Sequence, residues 1–284
     1  MAKGDFINYV VNNDSNKYPS NGLHTDGYWY ELYGKPPVKT VTWADGTDAE
    51  IVAMVNAADA GLINLADYWS VGDERQVTLS AMAATGVGES HVEQTVTFVL
   101  MHQGLYELVN GKTCNFIVGQ KNGLAETGYI HPTTDYNGSW DECPRRTWCN
   151  NVYYNAIPST LRGIFKQFKT VTIETYDGTT NKISEDWFAL PAVKEVFGGT
   201  ATTSGSDTKF SNVTEFNALT QFDYYKTSAN RIKKNGDSGS AGDWWERSPR
   251  FNVNSYFLNV SSDGSAKFTK FVSSNLLLAP FGVI

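Results

Sequence analysis

The stretch from Trp244 to Ile284 constrains the fold of this chain more than any other. It opens on an aromatic box, Trp244-Trp245-Glu246-Arg247-Ser248-Pro249, and closes on an apolar run from Leu276 to Ile284. Between these anchors, Arg250, Phe251, Val253, Tyr256, Lys267, Phe268, Lys270 and Phe271 mix large aromatics with cations at no helical or strand period. Two well-specified anchors around an unpatterned, side-chain-rich middle predict a scaffold that presents a recognition surface. The same residues also read as a terminal hairpin: Phe257 to Val260, a turn at Ser261-Ser262-Asp263-Gly264, then Ser265 to Phe268. The two readings are compatible, because a hairpin can carry a binding face.

A chain of 284 residues is long enough for one large or two modest domains with a sizeable core. Hydrophobic residues make up 41% and charged residues 19%, the balance of a folded chain poor in charge rather than a disordered one. Aromatic residues reach 13% and glycines number 25, which favours short strands and many loops over a helical bundle. The formal charge of −7 argues against nucleic acid as the partner, since phosphate binding needs a basic face. No run approaches ~18 consecutive apolar residues, so no membrane span is expected. The first residues, Met1 to Pro19, lack the basic-then-apolar layout of a secretion signal, and synthesis in the cytoplasm is expected.

Residues 1–38 carry turn clusters at Asn12 to Pro19 and at Gly34-Lys35-Pro36-Pro37, with one short aromatic strand, Asp26 to Leu32, between them. They read as a tether or docking arm, and residues 39–284 as one domain. Thr47-Asp48-Ala49-Glu50 is a capping box, followed by Ile51, Met54, Val55, Ala58 and Leu62 at amphipathic helical spacing. Strands are predicted at Gln76 to Leu79, His91 to Leu100 and Thr170 to Thr175. A helical pair is predicted from Trp140 to Lys169, with Leu161, Ile164, Phe165 and Phe168 as its apolar stripe and Arg162, Lys166 and Lys169 on a solvated face. A short helix follows from Pro191 to Phe197, stopped by Gly198, then a small polar loop at Gly199 to Asp207 and a helix-like stretch from Glu215 to Arg231. That order is α+β around one core.

Sequence signals for catalysis or cofactors are weak. No Gly-x-Ser-x-Gly elbow and no His-Glu-x-x-His occurs. Thr85 to Ser90 is glycine-rich but lacks the Gly-Lys-Ser/Thr ending of a phosphate loop. Asp45-Gly46-Thr47-Asp48 has oxygen ligands without calcium-loop grammar. Cys114, Cys143 and Cys149 are an odd count at irregular spacing, so they form no disulfide framework, and the four histidines are too scattered for a zinc site. Arg145 and Arg146 beside Cys149 make a low-pKa thiol conceivable, but a buried structural thiol is the reading adopted. No cofactor and no metal are expected.

Several boxes together resemble a bacterial and phage domain family of C-type lectin-like fold found in prophage structural genes. They are Ala66-Asp67-Tyr68-Trp69-x-Val71-Gly72-Asp73, Arg146-Thr147-Trp148-Cys149-Asn150-x-x-x-Tyr154-Asn155, Phe188-Ala189-Leu190-Pro191 with Glu195-Val196-Phe197-Gly198, and Trp244-Trp245-x-Arg247-Ser248-Pro249. The resemblance covers roughly residues 40–284. It implies an α+β, C-type lectin-like fold of the formylglycine-generating-enzyme-like subtype. The C-terminal arrangement also resembles the variable proteins of diversity-generating retroelements, in which codons for surface positions of such a scaffold are mutated between fixed anchors. By that resemblance the ligand-binding positions are Arg250, Phe251, Val253, Asn254, Tyr256, Leu258, Lys267, Phe268, Lys270, Phe271, Val272 and Asn275. Tyr18-Pro19-x-x-Gly22-x-x-x-Asp26-Gly27-Tyr28-Trp29-Tyr30 is similar to junctions in phage tail fibre proteins. The calcium-binding boxes of sugar-binding C-type lectins are absent, and the paired active-site cysteines of formylglycine-generating enzymes have no counterpart near the C-terminal boxes.

The function implied is therefore not enzymatic. It is a tail-associated receptor-binding protein of a phage or prophage, exposed on the virion or outside the cell after release. Its C-terminal domain meets a host cell-surface protein or glycan, and its N-terminal arm docks to other virion subunits. Homo-oligomeric display, for instance as a trimer, would raise avidity. The alternatives are a capsid or tail decoration protein and, less favoured, an enzyme of the formylglycine-generating type.

Overall fold

The computed structural model describes residues 41–88, 90–136, 138–173, 180–198, 219–250 and 255–284, except for the side chains of 268 and 269. The expected arm at 1–38, the loop at 199–207 and the start of the helix-like stretch at 215 lie outside the described residues. The fold is mixed α+β, with mostly antiparallel sheets and few helices.

The strands run, in chain order, β1 (Glu74–Leu79), β2 (Gln94–Gln103), β3 (Phe116–Gln120), β4 (Phe168–Ile173), β5 (Asn181–Asp186), β6 (Lys233–Lys234), β7 (Ala241–Gly242), β8 (Trp244–Pro249), β9 (Tyr256–Val260), β10 (Ala266–Phe271) and β11 (Phe281–Val283). The α-helices are α1 (Asp48–Asp59), α2 (Pro144–Trp148), α3 (Ser159–Arg162), α4 (Val193–Phe197) and α5 (Asp223–Lys226), with α2 running on through a π-helical turn, Cys149–Tyr153, into Tyr154–Ala156.

Helix α1 starts where the capping box predicts. The Thr47 hydroxyl accepts from the Glu50 N–H at 3.3 Å, and the Glu50 carboxylate accepts from the Thr47 N–H at 3.0 Å, which satisfies two otherwise orphaned donors. Its buried face carries Ile51, Met54 and Val55. Arg75 on β1 reaches back to Asp48 at 2.6 Å and ties this helix to the main sheet.

The main sheet has the order β1-β2-β3-β11 with every pair antiparallel. The end of the chain is thereby stitched against β3, and the closing apolar run from Leu276 to Ile284 lies wholly in the core. Phe281 packs among Tyr106, Phe168 and Phe222. Gly282 permits this approach: a Cβ there would sit 2.9 Å from both the Phe188 ring and the Trp187 carbonyl. A second sheet, β10-β9-β8, contains the terminal hairpin, with β9 in the middle. Strands β4 and β5 form a separate antiparallel ribbon.

The expected helical pair over Trp140 to Lys169 is corrected. Helix α3 ends at Arg162, and Phe168 and Lys169 already belong to β4, where Phe168 pairs with Asp186 and also bridges to Leu108. Leu161, Ile164, Phe165 and Phe168 are all buried, as a stripe would require, but they reach the core from different elements. The basic residues consequently share no helix face. Lys166 pairs with Asp59 at 2.8 Å and Lys169 with Glu107 at 2.5 Å. In the helix-like stretch ending at Arg231, the described part has only α5 and a 3-10 turn, Ser228–Arg231. Helix α4 stops at Gly198 as expected, because the chain takes φ +64° there, and a Cβ would come 2.7 Å from the Gln221 amide oxygen.

Candidate functional site

The C-terminal segment divides into a buried base and an exposed tip. Every residue of β8 is buried, so neither face of this strand alternates towards solvent. The Trp244 indole N–H donates to the Arg231 carbonyl at 2.8 Å, and that of Trp245 to the Gly128 carbonyl at 2.9 Å. Both anchors thus bury a large apolar body while satisfying their one donor. Pairing with β9 slips between Trp245 and Pro249: three residues of β8, Glu246 to Ser248, pass opposite one of β9, Leu258. That irregularity releases Arg247 from the ladder, and its N–H goes instead to the Pro191 carbonyl at 2.9 Å.

Arg247 is fully buried and grips Glu195 in a two-pronged ion pair, with Nη1 and Nη2 at 2.6 and 2.7 Å from the carboxylate oxygens. It also donates to the Leu190 carbonyl at 2.8 Å, and the Tyr106 hydroxyl closes on the same carboxylate. Glu195 in turn accepts from the Ala192 N–H at 2.7 Å and so caps α4. Burial pushes the Tyr106 hydroxyl pKa well above its ordinary value, so it stays a neutral donor. A buried charge pair is tolerable when further hydrogen bonds share its charge, as the Leu190 carbonyl, the Tyr106 hydroxyl and the Ala192 N–H do here. The cluster fastens β8 to α4; it offers no group to a substrate.

The other sequence boxes are fastenings of the same kind. Asn150 donates to the Asp186 carboxylate and the Phe188 carbonyl and accepts from the Trp187 N–H. Arg146 pairs with Asp186 at 2.6 Å, and Tyr154 stacks on Trp187 at 4.7 Å. Trp69 donates to the Val41 carbonyl at 2.8 Å and packs on Trp43. Lys233 lies behind Trp244, fully buried between that ring and Tyr225, and donates to the Gln120 and Lys121 carbonyls at 2.7 and 3.1 Å. Burial lowers its pKa to about 7.

Among the twelve positions expected to contact a ligand, the structure brings some together at the surface and withdraws others. Tyr256 and Phe271 are cross-strand partners on β9 and β10, their rings 4.4 Å apart, and Phe271 is 45% exposed. The Arg250 guanidinium lies 5.8 Å from the centre of the Tyr256 ring. Lys267 and Asn275 are exposed, and half-buried Lys270 lies 3.5 Å from Asp243. Leu258 and Val272 are corrected: both are fully buried. Leu258 sits on the central strand of its sheet, covered on both faces, and Val272 exchanges backbone hydrogen bonds with Ser255, Ile130 and His131 beneath the hairpin. Phe251, Val253 and Asn254, and the side chain of Phe268, lie outside what is described.

The sequence reading missed neighbours of the tip. His131 stacks on Tyr136 at 4.4 Å, and Tyr136 lies 6.2 Å from Phe257. Ser255, which enters β9, takes φ +68°, a left-handed conformation that costs on the order of 1 kcal/mol for a residue with a Cβ. Its N–H donates to the Tyr136 carbonyl at 3.0 Å and its carbonyl accepts from Val272 at 2.9 Å, which together hold it there. No local pattern in the polar loop before Tyr136 announces this contact.

The cysteines supply no reactive thiol: all three are buried, and burial pushes Cys143 up to about 11, Cys114 up to about 12 and Cys149 higher still. Among the described residues, no group of three or more His, Cys, Asp or Glu side chains converges to hold a metal ion. Nor, among them, is any helix long and apolar enough to cross a membrane.

No curated protein and no solved structure matches this chain. A family model described as a domain of unknown function (DUF6273) matches residues 115–281, a span that takes in the fastening boxes from Arg146 to Pro249, the terminal hairpin and the first residue of β11. That match covers more than half of the chain, which therefore belongs to the DUF6273 family.

Proposed function

We propose that this chain is a binding protein in which a C-type lectin-like scaffold presents the open end of the β9–β10 hairpin, where Tyr256 pairs with Phe271, to a macromolecular ligand, in the setting of a phage or prophage tail. The observation that carries this reading is the Tyr256–Phe271 ring pair with Arg250 beside it, partly exposed in a sheet whose neighbouring strand β8 is fully buried. Aromatic rings and arginine supply most of the binding energy at protein interfaces, and rings already paired across two strands lose little freedom on contact. Lys267 and Lys270 on β10 and Asn275 just after it add hydrogen-bond donors beside that pair, suited to a protein or glycan on a host cell. The lectin-like and retroelement-associated identities rest on the sequence boxes and on their fixed-anchor, exposed-middle arrangement. Diversification would then fall on Arg250, Tyr256, Lys267, Lys270, Phe271 and Asn275, whereas change at Leu258 or Val272 would disturb the core.

The test is adsorption of the fluorescently labelled full chain to a panel of bacterial cells, read by flow cytometry. The double substitution Tyr256→Ala and Phe271→Ala is expected to abolish adsorption to any strain bound by the parent. Adsorption unchanged in that variant, with unfolding also unchanged, would overturn the assignment of this face.

A further inference from the structure

A second concave region lies away from these residues. A cleft of about 510 Å³ opens beside the outer strand of the main sheet, and a neighbouring cavity of about 420 Å³ shares Glu74, Lys121, Tyr224 and Asn230 with it. Together they form one elongated groove within the size range of ligand sites.

The chemistry of its walls is specific. Glu74 and Asp237 face Lys121 and Lys234 in the larger cleft, so the formal charges of its lining cancel. Three of those four charges are also already engaged. Lys121 pairs with Glu74 at 2.7 Å, and Asp237 accepts from the Thr97 hydroxyl at 2.8 Å and from the Asn122 amide at 2.9 Å. In the smaller cavity the additional carboxylate, Asp223, is held by His102 at 3.0 Å and by Lys226 at 2.5 Å. A groove of this balance has little net attraction for a phosphate, a polyanion or a lone cation. It offers fixed carboxylate oxygens as acceptors and ammonium and amide groups as donors, at many points along one floor. Apolar surface is interspersed: Ile232 is 39% exposed, and Tyr224, largely buried, lines both cavities. The Tyr224 hydroxyl remains protonated, its pKa raised to about 12 by burial and then by Glu74.

A neutral ligand with many hydroxyls and apolar C–H faces meets all of these demands at once. We infer that this groove is a saccharide-binding site, taking an oligosaccharide of more than one ring along the two cavities. The site uses none of the hairpin positions and does not depend on the function proposed for them.

The experiment is a glycan array carrying neutral hexose, N-acetylhexosamine and uronic-acid oligomers, probed with the full chain, with every hit titrated by calorimetry. At least one neutral oligosaccharide is expected to bind. The double substitution Gln76→Ala and Lys121→Ala is expected to weaken it at least about tenfold, the loss of one or two charge-assisted hydrogen bonds. Both side chains stand at the surface, so the fold should be kept, and Gln76→Ala alone provides a milder second variant. Tyr256→Ala with Phe271→Ala is expected to bind the same sugar normally. Three results would each overturn the site: no glycan bound, binding confined to acidic glycans and removed by salt, or a hit that survives the groove substitutions. A hit lost only in the hairpin variant would assign the sugar to the terminal face instead.

Discussion

Strand β8 and the open end of the β9–β10 hairpin lie in one sheet, a few residues apart, and are built from the same kinds of side chain. Trp244, Trp245 and Arg247 on one side match Tyr256, Phe271 and Arg250 on the other. In β8 every residue is buried, each indole N–H has a carbonyl partner and the guanidinium is locked to Glu195. At the hairpin the rings pair with each other at the surface and the guanidinium lies near a ring. Aromatic and cationic composition therefore does not set the role of a segment here. The role follows from whether neighbouring elements enclose it: α4, the Leu190–Pro191 carbonyls and the Gly128 loop close over β8, while Phe271 at the open end of the hairpin stays 45% exposed.

This contrast can be broken first at Glu195. Glu195→Ala leaves Arg247 charged, buried and without its carboxylate, and is expected to cost about 3–5 kcal/mol of unfolding free energy in urea. Replacing the pair together, Glu195→Leu with Arg247→Met, should recover much of that loss. A single-substitution cost near zero would mean that β8 is not a fixed base.

Lys233 gives the next largest effect. Its folded pKa of about 7 lies below the ordinary lysine value of about 10.4. Between those limits the unfolded chain holds a proton on this amine that the folded chain lacks. This group's contribution to stability therefore rises with pH from about 7 towards 10.4, and is lost as pH falls back to 7. The slope is at most about 1.4 kcal/mol per pH unit. Urea midpoints of the parent and Lys233→Met at pH 7 and pH 9 should differ in this sense, and parallel pH profiles would contradict it. The smallest effect is expected at Lys270. Its contact with Asp243 is long at 3.5 Å and the ammonium is partly exposed, so Lys270→Ala should change stability by less than about 1 kcal/mol.

How far these features could be read in the sequence depended on whether their cause was local. The α1 cap was legible because Thr47 and Glu50 satisfy each other within one turn. The terminal hairpin was legible from its turn, where Gly264 takes φ +81°. The stretch after Pro158 was not, because the spacing of Leu161, Ile164, Phe165 and Phe168 suits a helix, and only pairing of Phe168 with the distant Asp186 makes it a strand. Leu258 was misplaced as a surface position because β9 is covered on both faces, which removes the alternation that would have marked an inward residue. The polar groove was illegible altogether, since Glu74, Thr97, Lys121, Asn230 and Asp237 meet only through tertiary structure. Arg247 and Glu195 each sat in a noticed box, but nothing in either box said that one holds the other.

The division between base and tip is tested most directly within the hairpin itself, by chemical denaturation of Leu258→Ala beside Phe271→Ala. The buried leucine is expected to cost about 2–5 kcal/mol. The half-exposed phenylalanine, which loses mainly one surface ring contact, is expected to cost about 1 kcal/mol or less. Equal and large losses in the two variants would contradict the account, because Phe271 would then belong to the core and not to a surface held out for a partner.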